Sequence, residues 1–168
     1  MTQLHEVTTA PRPYALGAEE GERIWFLNGE MTFKATAALT GGDLCLTEVR
    51  APSGYATPLH VHHDEHEGFY VLEGAIDVVC GEERYRAGAG SFAFLPIGIA
   101  HAFQVASEEP VRMLAIGVPG GMENFFRDLG REPEGPGLPE PAPVDIARVT
   151  EVGARHNEEV VGPPPFAP

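Results

Sequence analysis

Seven histidines occur in this chain of 168 residues, and three of them stand with one glutamate at spacings that suit a metal centre. His60 and His62 alternate, Glu67 follows after a short polar stretch, and His101 comes from a second segment. Three imidazoles and a carboxylate form a complete ligand set for one divalent transition metal. The donor types suit iron, manganese, cobalt, nickel, copper or zinc, and ligand chemistry alone does not choose among them. On an extended strand alternate side chains share a face, so His60 and His62 point inward while Val61 points outward. The stretch His63-Asp64-Glu65-His66 reads as a turn, and a strand returning from Glu67 brings its carboxylate back beside the two imidazoles. Pro96 and Gly98 bend the chain into His101, which arrives from a distant strand. His63, His66, Asp64 and Glu65 are expected to face solvent, and His5 and His156 have no local partner.

The elements that must hold these residues read as strands. From Arg23 to about Gly117, short apolar runs alternate with Gly or Pro every 8–12 residues or so, the spacing of a sandwich or barrel. Asn28-Gly29 between two such runs, Arg23–Leu27 and Met31–Ala37, is a hairpin signal. No helical period is visible in this region. After Pro119 the pattern changes. Met122, Phe125, Phe126 and Leu129 fall at i, i+3, i+4 and i+7, one short amphipathic helix stopped by Gly130. Residues 131–143 carry five prolines and read as an extended linker. Asp145–His156 reads as a second short helix, and Gly162-Pro163-Pro164-Pro165-Phe166 as an extended tail. The expected division is an N-terminal arm over 1–22, a barrel over 23–118 and a C-terminal region over 119–168.

Composition narrows the function. Hydrophobic residues make up 43% and aromatics 8%, ordinary for one folded domain. A net charge of −14 opposes binding to phosphate backbones or anionic membranes, so nucleic acid and membrane partners are not expected. No signal-peptide pattern and no long apolar run is visible, which makes the cytoplasm the expected location. Cys45 and Cys80 lack CxxC spacing and are expected to be reduced, buried thiols.

Gly54, His60, His62, Glu67 and Gly74 fit G-x5-H-x-H-x4-E-x6-G, and Gly90, Pro96, Gly98 and His101 fit G-x5-P-x-G-x2-H. These segments resemble the two motifs of the cupin superfamily, with 15 residues between them. One position departs, since Val105 stands where the second motif ends in Asn. The resemblance implies an all-β fold, a double-stranded β-helix or jelly-roll barrel with short C-terminal helices. It also implies His60, His62, Glu67 and His101 as ligands of one divalent metal per chain. Within the superfamily the chain is similar to single-domain bacterial cupins of quercetin 2,3-dioxygenase type. In that reading Glu67 is catalytic as well as a ligand, taking the proton of a flavonol's enolic hydroxyl. Dioxygen then adds across the activated ring, which opens with loss of carbon monoxide. Strand alternation places Phe69 and Val71 on Glu67's face and Phe103 on His101's face, with Tyr70 and Leu72 toward the other layer. Phe33, Met113 and Trp25 are expected to close the pocket from neighbouring strands. The partners expected are a small-molecule substrate, dioxygen and a second copy of the chain in a homodimer. Other readings are an oxygen-independent isomerase, cyclase or lyase, and a non-catalytic small-molecule-binding module.

Overall fold

A computed structural model describes residues 10–166; His5 and the first part of the expected arm lie outside the described residues. Two antiparallel sheets carry the fold. The first has six strands in the order β1 (Glu22–Phe26), β2 (Gly29–Ala35), β3 (Cys45–Ala51), β10 (Val111–Val118), β5 (His66–Glu73) and β8 (Phe92–Leu95). The second has five, in the order β11 (Glu158–Gly162), β4 (Leu59–His62), β9 (His101–Val105), β6 (Ala75–Cys80) and β7 (Glu83–Gly88). Inner residues of both sheets meet in one core that includes Phe33, Val71, Ile76, Val78, Leu95 and Met113. Alternation is clean on β10, where Val111, Met113, Ala115 and Gly117 are buried and the residues between them are not. That period places one sheet face on the core and leaves the other wet. The expected all-β jelly roll is the fold observed. Cys45 and Cys80 are both free and buried.

Three local expectations are corrected. The first hairpin turns at Leu27-Asn28, because Phe26 pairs with Gly29 inside the ladder. Leu27 takes the left-handed conformation (φ 54). Asn28 is drawn away instead: its side chain donates to the Ala142 carbonyl at 3.0 Å and accepts from the Ala142 N–H at 2.9 Å, pinning the proline-rich linker. Gly29 is required by packing, since a Cβ there would lie 3.0 Å from the Arg50 carbonyl oxygen. Second, β2 stops at Ala35 and a short helix α1 (Ala37–Thr40) follows, inside a region read as strands alone. Third, Tyr70 does not face an inner layer; it is exposed, because the outer face of β5 is open to solvent.

The C-terminal region is tied into this scaffold. Helix α2 (Met122–Leu129) and helix α3 (Ile146–Arg155) form where the apolar period predicts them, and Asp145 caps α3 by accepting from the Arg148 N–H at 3.0 Å. Phe125 and Phe126 meet Phe26 edge-on at 5.6 and 5.0 Å between ring centres, which seats α2 on the first sheet. The chain then returns as β11, a strand absent from the sequence reading, and pairs with β4. The N-terminal segment is held by Lys34, whose ammonium donates to the carbonyls of Gly17, Ala18 and Glu20.

Glu123 is the polar joint of this assembly. It is almost fully buried, and its carboxylate accepts from the Ala37 N–H at 2.7 Å and the Gly121 N–H at 3.1 Å. One side chain therefore satisfies donors at the starts of both α1 and α2. Hydrogen bonds to a charged acceptor contribute about 1.5–3 kcal/mol each, and losing the acceptor leaves buried N–H groups unpaired. Glu123→Ala is expected to lower unfolding free energy by about 3 kcal/mol in chemical denaturation, with Glu123→Gln closer to wild type.

Candidate metal centre

The centre is assembled by register. His60 on β4 lies directly opposite His101 on β9, so their side chains share one face of the second sheet. Alternation puts His62 on the same face. Glu67 arrives from β5 of the other sheet, and the four donors converge between the layers. All four residues are buried, and one ligand atom from each lies within 4.8 Å of every other. Metal–ligand bonds of about 2.0–2.2 Å hold donors up to roughly 4.3 Å apart, so a small inward adjustment closes this set on one ion. Glu67 Oε2 stands 3.1 Å from His101 Nε2 and 3.7 Å from His62 Nε2.

The far nitrogens fix the tautomers. His60 Nδ1 donates to the Pro58 carbonyl at 2.8 Å, and His101 Nδ1 donates to the Ile99 carbonyl at 2.8 Å. A carbonyl only accepts, so both Nδ1 atoms carry a proton and both Nε2 atoms face the centre. His62 Nδ1 bonds to Glu65 Oε1 at 3.2 Å, which turns its Nε2 toward Glu67. The Gly98 turn (φ 77) secures the approach to His101 by donating its N–H to the His62 carbonyl at 2.9 Å.

Charge follows from these partners. Burial, then the neighbouring imidazoles, pushes His60 down to about 3. Burial works the same way on His62, but the Glu65 hydrogen bond and the charges of Glu67 and Glu158 outweigh it and raise it to about 9. For Glu67, burial alone would favour the neutral acid; the His101 hydrogen bond and the nearby imidazoles prevail and hold its carboxyl below the usual range.

Residues 47–117 match the family model described as a cupin domain. The chain is 31% identical over 126 residues to a quercetin 2,3-dioxygenase of Bacillus subtilis, which spans 75% of this chain and 37% of that relative's length. Among solved structures, a predicted oxalate decarboxylase from Thermotoga maritima superposes with a TM-score of 0.56 at 21% identity, covering 64% of this chain and 99% of that one. A sugar phosphate isomerase from Silicibacter pomeroyi gives 0.53 at 21% identity, covering 63% and 75%. The chain belongs to the cupin superfamily. The cupin fold and the four-donor group together fit a bound metal, since the donor set is buried, convergent and oriented by its own hydrogen bonds.

The cupin's cavity opens from His60, His62 and Glu67 toward an apolar wall. Phe69, Phe103 and Met113 line it, joined by Phe26 from β1 and by Met122, Phe125, Phe126 and Val149 from α2 and α3. Phe33 and Val71 lie in the core and outside the lining; Phe33 is taken up by stacking on Phe126 and by the Arg127 guanidinium over its ring. Trp25 does not close this cavity either. Its indole N–H donates to the Gly137 carbonyl at 2.8 Å and Arg131 covers its ring, so it anchors the linker. His63 is exposed and bonds to Glu159 at 3.1 Å. His66 is half-buried rather than solvated: it accepts from the Ile97 N–H at 3.1 Å and packs on Phe94. His156 bonds to Asp128 at 2.8 Å.

Three polar residues escaped the sequence reading. Glu65, expected in solvent, is turned inward onto His62, with its side chain only 12% exposed. Glu158 on β11 lines the cavity, and burial, partly opposed by the His62 charge, raises its carboxyl to about 7. Tyr55 lines it too, with its ring against Phe103. An orienting carboxylate on a ligand imidazole sustains affinity, and its loss costs roughly 10- to 100-fold. Glu65→Ala is therefore expected to weaken metal binding by about that factor. His101→Ala, which removes a donor outright, is expected to leave little metal per chain. Elemental analysis of the purified variants checks both, and unchanged metal content in His101→Ala would remove it from the ligand set.

Proposed function

We propose that this cupin is a metal-dependent dioxygenase acting on a flavonol of quercetin type or a related enolic aromatic. The observation that carries this reading is a buried carboxylate, Glu67, held ionised at the edge of an aromatic cavity. Kinship with a quercetin 2,3-dioxygenase over three-quarters of the chain supports the same substrate class. His60, His62, Glu67 and His101 would hold one divalent metal, which would supply Lewis acidity at the substrate oxygen. The chain's own residues do the rest. Glu67 accepts the proton of the enolic hydroxyl, leaving the ring electron-rich for attack by dioxygen. Phe69, Phe103 and Met113 keep water from the activated ring and hold it flat.

Oxygen uptake with quercetin, run on protein loaded in turn with nickel, manganese, cobalt, iron, copper and zinc, tests the reading. Uptake with ring cleavage is expected with at least one metal. No uptake by any fully loaded form would remove flavonols and favour an oxygen-independent reaction. Glu67→Gln is expected to keep much of its metal yet lose turnover by about 100-fold or more, the usual scale for removing a general base. A fully active Glu67→Gln would sink the base assignment.

The homodimer and a cytoplasmic location belong to the same proposal. Tyr70 and Phe92 pair across β5 and β8 and are exposed beside Phe94, an apolar outer face that a second copy would cover. No helix among the described residues is long and apolar enough to cross a membrane.

A further inference from the structure

Glu158 has no assigned task, yet it occupies a position that a structural carboxylate would not. It pairs with His62 across β11 and β4, so its side chain shares the inward face of that imidazole. It is 6% exposed and lines the cavity, but stands outside the group of four converging donors. Among the described residues its carboxylate has no hydrogen-bond or ion-pair partner. Among the described residues no fully enclosed side-chain oxygen or nitrogen lacks one, so the Glu158 oxygens are not fully enclosed. Its backbone is fixed by α3, which packs so closely that a Cβ on Gly153 would lie 2.9 Å from the Glu158 carbonyl oxygen.

Tyr55 matches it. The ring stacks on Phe103 at 5.8 Å between centres, and the backbone is fixed by the Val105 N–H donating to the Tyr55 carbonyl at 2.8 Å. The hydroxyl has no partner among the described residues. Burial, then the charges of Glu158 and Glu67, keeps it protonated and therefore able to donate. An acceptor and a donor, each with its backbone held in place, thus line a largely apolar cavity beside the metal centre. Unpaired polar groups in such a place are costly, and a ligand that pairs with them is favoured over one that leaves them bare.

We propose that Tyr55 and Glu158 form a hydroxyl-recognition subsite, with Glu158 accepting from and Tyr55 donating to a second oxygen function of the substrate. The chain would then select polyhydroxylated planar ligands over parents that carry the enolic hydroxyl alone. This rests on the flavonol reading above and names the feature of the flavonol that is read.

The test is calorimetric titration of zinc-loaded protein, without oxygen, with quercetin and with the parent flavonol. Wild type is expected to bind quercetin at least about tenfold more tightly, the scale of one hydrogen bond to an otherwise unpaired group. Glu158→Met and Tyr55→Phe are each expected to bring that ratio close to one while zinc content and affinity for the parent flavonol hold. Tyr55→Phe removes one oxygen only, so it decides the matter even if Glu158→Met folds poorly. A preference retained in Tyr55→Phe, or zinc lost from a folded Glu158→Met, would overturn the subsite. Equal binding of both ligands by wild type would overturn it too, leaving the dioxygenase reading in place. Binding of neither ligand would overturn the flavonol reading and the subsite together.

Discussion

The pairing of His60 with His101 across β4 and β9 positions the rest of the centre. Strand side chains alternate with a period of two, so a slip of one residue would turn both imidazoles out of the barrel. The β4–β9 ladder is short, and other bonds hold its register. The Gly98 N–H reaches the His62 carbonyl, the Thr57 N–H reaches the Phe103 carbonyl, and the Phe103 N–H returns to the Thr57 hydroxyl at 3.1 Å. On the opposite edge β11 adds the His63 N–H to Asn157 carbonyl bond and sets Glu158 across from His62. Glu67 then has to arrive from the other sheet, and its place on β5 is fixed by pairing with Gly117 on one side and Leu95 on the other. The four donors meet because two sheets, each with its register pinned, pack face to face.

The same geometry decides the charge. Three buried imidazoles would repel one another if all were protonated, and the chain avoids this by giving them unlike partners. His60 and His101 donate to backbone carbonyls, which orient the rings without adding charge. His62 donates to Glu65 and looks across at Glu158, so positive charge is favoured on that ring. Glu67 stays ionised at the common focus. A buried carboxylate among inward-facing imidazoles is a donor set that a metal cation would complete, displacing the proton held by His62.

Much of this was legible in the sequence because it rests on local rules. The alternation His60-Val61-His62, the turn before Glu67 and the bend at Pro96 and Gly98 are short-range features, and the structure brings the four residues they single out together. The helices α2 and α3 followed from their apolar period. What stayed hidden depended on contacts far apart in the chain. Glu65 reads as one more acid in a polar loop until His62 is seen beside it. Glu158 sits in a stretch with no motif, and only the return of β11 to β4 gives it a role. Trp25 and Phe33 alternate as pocket residues should, but Gly137 and Arg127, respectively, claim them first. Asn28 likewise suits a tight turn by type and is diverted by Ala142, a partner 114 positions away.

That division bears on how a fold of this kind carries function. The motif residues lie on β4, β5 and β9, the strands that any barrel of this register must keep, and they define a metal centre without choosing a reaction. The residues facing that centre across the cavity come from elsewhere: Phe26 from the first hairpin, Tyr55 from the loop before β4, Phe125 and Phe126 from α2, Glu158 from β11. None of them belongs to the two motifs by type, and each is brought in by a segment whose course could change without disturbing the register of the metal strands. Chemistry at the centre is thus set by the invariant geometry of two sheets. Selection among substrates is left to a largely apolar wall, to which the C-terminal segment adds Met122, Phe125, Phe126, Val149 and Glu158 and on which Tyr55 and Glu158 are polar.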